Sequence, residues 1–153
     1  MYSLHSSDVM GRPRHAFGES DSLCSAVYGI LIENDRVLLL PQEDGAWRLP
    51  GGTVPVGETP AQTVRQLSWL AAGFIPEVGS LVFVEDQNCP EEEPVCFSVA
   101  LFFVLRRPRA AYMMIDADAP AHPEWVSLSL LRREQLQGGW DAIQAARTWL
   151  RLP

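Results

Sequence analysis

Lysine is absent from this chain: all twelve basic residues among its 153 are arginines, set against nineteen acidic residues for a net charge of −7. Binding along an extended phosphate backbone depends on clustered cations, so this balance excludes long nucleic acids as partners. Any contact to a phosphate would have to come from a planar guanidinium or from backbone amides. A biased base composition of the coding sequence would remove lysine just as well, so its loss alone identifies no ligand. Long apolar runs are also missing. None reaches the roughly 18 to 20 residues a membrane-spanning helix needs, which argues against a membrane partner. Residues 1 to 22 lack the apolar stretch of a secretory signal, so the expected location is the cytoplasm. Cysteine is scarce: Cys24, Cys89 and Cys96 are an odd set without CxxC spacing, which argues against a disulfide framework or a cysteine metal site. Cys24 and Cys96 sit in apolar, strand-like runs and read as buried structural thiols.

What is present is a hydrophobic fraction of 47% in a chain long enough for one good-sized core, so a single domain over residues 23 to 153 is expected behind an N-terminal arm, residues 1 to 22. CSAVYGILIE (24 to 33) and RVLLLPQ (36 to 42), separated by Asn34-Asp35, predict a hairpin with a tight turn. LPGGTVPVGETP (49 to 60) is too rich in Gly and Pro for regular structure. It leads into a helical pattern with Thr59 as N-cap, Pro60 at the first position and Gly73 as the stop. GSLVFVED (79 to 86) and PVCFSVALFFVLRR (94 to 107) predict two antiparallel strands joined by an exposed acidic loop, QNCPEEE. After an irregular stretch carrying Asp116, Asp118 and Pro120 come a short strand, EWVSLS, and an amphipathic helix, WDAIQAARTWLRL. This order implies a mixed sheet covered by helices.

Trp47-Arg48-Leu49-Pro50-Gly51-Gly52 and the following Thr53 to Pro60 resemble the opening of the Nudix box of the MutT-like hydrolases, GX5EX7REUXEEXGU with U aliphatic. Gly52 and Glu58 stand at the required separation, and Gly73-Phe74 closes the box at its full length. The resemblance implies the Nudix fold, an α/β/α sandwich with a mixed sheet between helices, over roughly residues 22 to 150. The centre of the box departs from the pattern. Counted strictly from Gly52, the Arg-Glu falls on Gln66-Leu67 and the Glu-Glu pair on Leu70-Ala71. Sliding by one residue puts Arg65 on the box arginine, Gln66 on the first glutamate and Trp69-Leu70 on the pair. Either register loses every carboxylate, because no Asp or Glu occurs between Thr59 and Pro76.

In the family those glutamates lie at relative positions 0, 3 and 4, on one helix face, and hold magnesium. Hard divalent cations take oxygen ligands, and such a metal bridges diphosphate oxygens and activates the attacking water. Leucine, alanine and tryptophan offer no ligand. The resemblance therefore implies a scaffold whose box binds no metal, with Glu58 the one retained carboxylate, bracing the loop through a salt bridge to Arg65. Three readings stay open. The first is a domain that binds a nucleotide or other phosphorylated small molecule without standard Mg-dependent hydrolysis, through Trp47, Arg48, Gly51, Gly52 and Arg65. The second is an atypical hydrolase of a nucleoside diphosphate-linked substrate, using Mg or Mn held by carboxylates outside the helix. Glu58, Glu92 within Glu91 to Glu93, and Glu124 are its catalytic candidates, with Glu85-Asp86 as further ligands. The third is a structural or interaction module, such as a homodimer built through the N-terminal arm. Trp47, Tyr28 and Phe17 could stack on a base, but strand aromatics more often belong to a core.

Overall fold

A computed structural model of the chain describes residues 22–89, 96–109 and 122–152. The N-terminal arm with Phe17, the Glu91 to Glu93 run and the Asp116 to Pro120 stretch lie outside the described residues, as do the side chains of the three cysteines. Seven strands and two helices follow in the order β1 (Ser22–Glu33), β2 (Arg36–Pro41), β3 (Trp47–Arg48), β4 (Gly51–Thr53), α1 (Pro60–Ala72), β5 (Glu77–Cys89), β6 (Cys96–Arg106), β7 (Glu124–Ser127) and α2 (Trp140–Trp149). The sheet runs β3-β2-β1-β6-β5, with β4 added to β1 and β7 to β2. β1 and β6 are parallel, and the other pairings are antiparallel.

Asn34 and Asp35 both take positive φ, 52° and 61°, which joins Glu33 to Arg36 in a two-residue turn. The central strands are apolar on both faces because both are covered. On β1, Val27 and Leu31 pack towards α1, whereas Tyr28, Ile30 and Ile32 pack towards α2. On β6, Leu101, Phe103 and Leu105 alternate in the same way with Ala100, Phe102 and Val104. Val64, Ala72 and Phe74 close the first layer, and Ala142, Ile143 and Ala146 close the second. The result is the expected helix, sheet, helix sandwich. No helix among the described residues is long and apolar enough to cross a membrane.

Three local expectations change. The Gly/Pro-rich segment is not wholly irregular: Gly51–Thr53 forms β4, paired with Ala26 to Tyr28. Hydrogen bonds from Gly29 N–H to the Pro50 carbonyl and from Val54 N–H to the Ser25 carbonyl extend that pairing. A Cβ at Gly51 would overlap the Val27 carbonyl, so here glycine permits a strand to close on its neighbour. Second, β5 runs on to Cys89, so Gln87 to Cys89 belong to strand, opposite Ser98 to Cys96. Third, the strand expected over EWVSLS ends at Ser127, and the run before α2 contains one turn of 3-10 helix, Arg133–Gln135.

Candidate ligand-binding site

Helix α1 starts as the sequence implies. Thr59 accepts a hydrogen bond from Gln62 N–H at 3.2 Å, and Gln62 Oε1 accepts from Thr59 N–H at 2.9 Å, closing a capping box. Glu58, the residue before the cap, accepts a hydrogen bond from the buried Thr63 hydroxyl at 3.0 Å. This contact replaces the expected salt bridge to Arg65. Thr63 lies on the flank of α1 that faces the loop, whereas Arg65, two residues on, is turned roughly 200° away. Leu67, one turn beyond Thr63, also faces the loop: its Cδ1 would stand 3.3 Å from a Cβ placed on Gly52. Leu70, one further turn along, is 62% exposed. The helix flank opposite Gly52 is therefore lined by Thr63, Leu67 and Leu70. Gln66, three residues from Thr63 and four from Leu70, is exposed at the edge of that flank, and Trp69 is exposed further round the helix.

The other residues named from sequence have various settings. Arg48 is half-buried on β3, and its Nη1 donates to the carbonyls of Leu49 and Gly51 at 3.3 and 3.5 Å, so it braces the backbone of the Gly-Gly segment. Trp47 packs against the α2-side core, and Tyr28 stacks on Phe102 with ring centroids 5.3 Å apart. Glu124 is exposed on β7 opposite Leu39, a residue of the α2-side core. Glu85 and Asp86, adjacent on β5, point to opposite faces of the sheet. Among the described residues no three carboxylate, imidazole or thiol side chains converge as a metal-binding group.

A cleft of about 130 Å³ opens on the α2 side, lined by Phe83 and Glu85 of β5, Arg133, Leu136, and Gly138 to Ala142. Gly139, at φ 87°, is the N-cap of α2 and supplies no side-chain cap, so the first amides of the helix are left without that partner. Arg133 binds Asp141 at 3.0 Å and lies 6.0 Å from the Trp140 ring centroid. The cleft adjoins the Gly-rich segment. Gln137 N–H donates to the Trp47 carbonyl at 2.8 Å, and a Cβ on Gly139 would stand 2.8 Å from Leu49 Cδ1. Aromatic rings, two carboxylates, one guanidinium and helix amides without a side-chain cap thus meet beside Trp47, Arg48 and Leu49. The sequence reading missed this cleft, because it joins β5 to a segment about fifty residues later. The signal that was available is Gly138-Gly139 directly before an amphipathic helix.

A second, less exposed ion pair is structural. Arg107 makes a two-pronged contact to Glu33, both hydrogen bonds 2.9 Å, and lies 4.3 Å from the Phe74 ring centroid. The hydrogen bond to Glu33 holds the guanidinium above its ordinary pKa, outweighing desolvation by burial. A raised pKa on a base stabilises at every pH below its titration, so this contribution does not vary with Arg107 ionisation over ordinary pH.

This architecture is the Nudix hydrolase fold. A solved structure of the MutT Nudix hydrolase from Burkholderia pseudomallei superposes with a TM-score of 0.62, covering 81% of this chain and 98% of that one at 21% identity. An ADP-ribose pyrophosphatase of Methanocaldococcus jannaschii is 32% identical over 84 residues, 52% of this chain and 48% of that protein. The 8-oxo-dGDP phosphatase NUDT18 of Mus musculus is 25% identical over 139 residues, 88% of this chain and 37% of that protein. The chain spans about half the length or less of these two curated relatives. No family model matches it. The chain thus shares the fold of Nudix hydrolases and is similar in sequence to these two enzymes.

Proposed function

We propose that this chain is a Nudix domain that binds a nucleoside diphosphate-linked small molecule without the standard metal-dependent hydrolysis. The observation that carries the reading is the flank of α1 facing Gly52. Its side chains are Thr63, Leu67 and Leu70, with the neutral amide of Gln66 at its edge, on a helix with no acidic residue. The unbroken helix from Pro60 to Ala72, with Leu67 over Gly52, supports the strict count of the box, in which Leu67, Leu70 and Ala71 stand where the metal-binding glutamates would be. A hard cation gains no ligand from these groups, and the donors present do not fit magnesium. Glu58 is engaged by Thr63 and serves the loop.

Binding is assigned to the α2-side cleft and the neighbouring Gly-Gly segment. Phe83 and Trp140 offer apolar aromatic surface to a planar heterocycle. Glu85 and Asp141 accept hydrogen bonds from its N–H groups, and the phosphates extend towards Arg48 and the amides of the Gly-rich segment. Both curated relatives carry names of enzymes acting on nucleoside diphosphate compounds, which supports this ligand class. The same names favour a second reading, an atypical hydrolase whose Mg or Mn is held by Glu58 and carboxylates outside α1.

Thermal shift and chromatographic detection of the nucleoside monophosphate product, measured with ADP-ribose, nucleoside diphosphates and nucleotide sugars in the presence of Mg or Mn, separate the two. The expected result is a Tm raised by several degrees at saturating ligand, since about 100-fold excess over Kd contributes about 2.7 kcal/mol. Glu85→Gln and Asp141→Asn should reduce the shift, Glu58→Gln should preserve it, and no nucleoside monophosphate should form. Metal-dependent turnover that Glu58→Gln abolishes would establish the second reading instead.

A further inference from the structure

We propose that the sheet face beside α1, over β5 and β6, is a homodimer interface in which Arg65 of one copy meets Asp86 of the other. The register pairs Leu81 with Phe103, Val84 with Leu101, and Asp86 with Val99. Leu101 and Phe103 pack at the margin of the α1-side core, so all six side chains are on that face. The helix does not cover them. α1 lies chiefly over β1 and β4, with Leu67 towards Gly52, and makes fewer contacts with β5, which ends the sheet two strands away from β1. Leu81 and Val84 are 47% and 50% exposed, and Val99, Leu101 and Phe103 are only half-buried. Contiguous exposed apolar surface of this kind marks an interaction site.

The rim decides which partner fits. Arg65 and Trp69 lie about 200° around α1 from Leu67, on the flank turned towards β6 and β5. Trp69 is 42% exposed. Arg65 is exposed and, among the described residues, has no ion-pair or hydrogen-bond partner; the same holds for Asp86 at the far end of the patch. An apolar centre with an unpaired cation at one side and an unpaired anion at the other is its own complement. A two-fold axis brings each Arg65 to the other copy's Asp86 and each Val84 towards its equivalent. Without such pairing, two copies of net charge −7 repel one another. The irregularities between Val78 and Leu81 and between Leu81 and Phe83 interrupt the outer edge of β5 there, so contact is through this side-chain face and not through a continued ladder.

Sedimentation of the full chain over a range of concentrations tests the assignment. A reversible dimer is expected, and Val84→Asp, Arg65→Glu and Asp86→Arg should each weaken it at least about tenfold, equivalent to about 1.4 kcal/mol. The double variant Arg65→Glu with Asp86→Arg should recover it, because the exchange restores the pairing with reversed sign. All three side chains are exposed, and circular dichroism checks that each variant is folded. A monomer at every concentration, or a dimer indifferent to these changes, overturns the proposal. A monomer whose Tm falls on Val84→Asp assigns the face to a segment of the same chain and overturns it equally.

Discussion

Ser68 sits at zero exposure in the middle of α1, and among the described residues its hydroxyl has no hydrogen-bond partner. Gly29 on β1 makes room for it, since a Cβ there would stand 2.7 Å from Ser68 Oγ. A buried hydroxyl left unpaired forfeits its hydration without return, at a cost of about 1 to 3 kcal/mol. Ser68→Ala removes that cost with little change in volume, and chemical denaturation should show a gain of about 1 kcal/mol. A loss of stability would mean the hydroxyl is satisfied. Glu58 illustrates the opposite case. Its spacing from Gly52 was legible in the sequence, but its partner was not, because a salt bridge to Arg65 and a hydrogen bond from Thr63 are both compatible with residues five to seven apart. The direction in which α1 faces the loop separates them.

Helix α1 is the element whose ends were most fully written in the chain. Thr59 and Gln62 satisfy each other's amides at its start, Pro60 has no N–H to satisfy, and Gly73, at φ 82°, ends it with its N–H on the Trp69 carbonyl. These are local interactions between residues at most four apart, so no tertiary knowledge is needed to read them. The left-handed conformation of Gly73 makes Gly73→Ala strained. Thermal melting should show a loss of about 1 kcal/mol, a few degrees in a domain of this size, and an unchanged Tm would refute the cap. Strand β4 shows the limit of local reading. Gly51 and Gly52 have no strand propensity, and only the presence of β1 at contact distance makes Gly51–Thr53 a strand. The outward reach of β5 to Cys89 has the same origin, since Gln87 to Cys89 are extended by pairing with β6 and not by their own preference.

At the scale of the molecule, two apolar layers share one sheet. Ile143 is fully buried in the α2 layer and Val64 in the α1 layer, and strands β1 and β6 contribute alternate residues to both. Ile143→Ala should cost about 2 to 5 kcal/mol. Because the layers meet through common strands, far-ultraviolet circular dichroism and tryptophan fluorescence should shift to the same new midpoint. Two separate transitions would show that the layers unfold independently. The sequence by itself determined the alternation that makes a covered sheet, the caps of α1, the Asn34-Asp35 turn and the loss of carboxylates from Thr59 to Pro76. Each follows from residue type and short spacing, whose physics is local. Tertiary structure alone decided that Leu67 faces Gly52 while Arg65 faces β5, that Phe83 and Glu85 meet Arg133, Trp140 and Asp141 in a cleft, and that Leu81 and Val84 remain uncovered. Those juxtapositions depend on how far a helix rotates about its axis and on which strand ends the sheet, and packing across the whole core sets both.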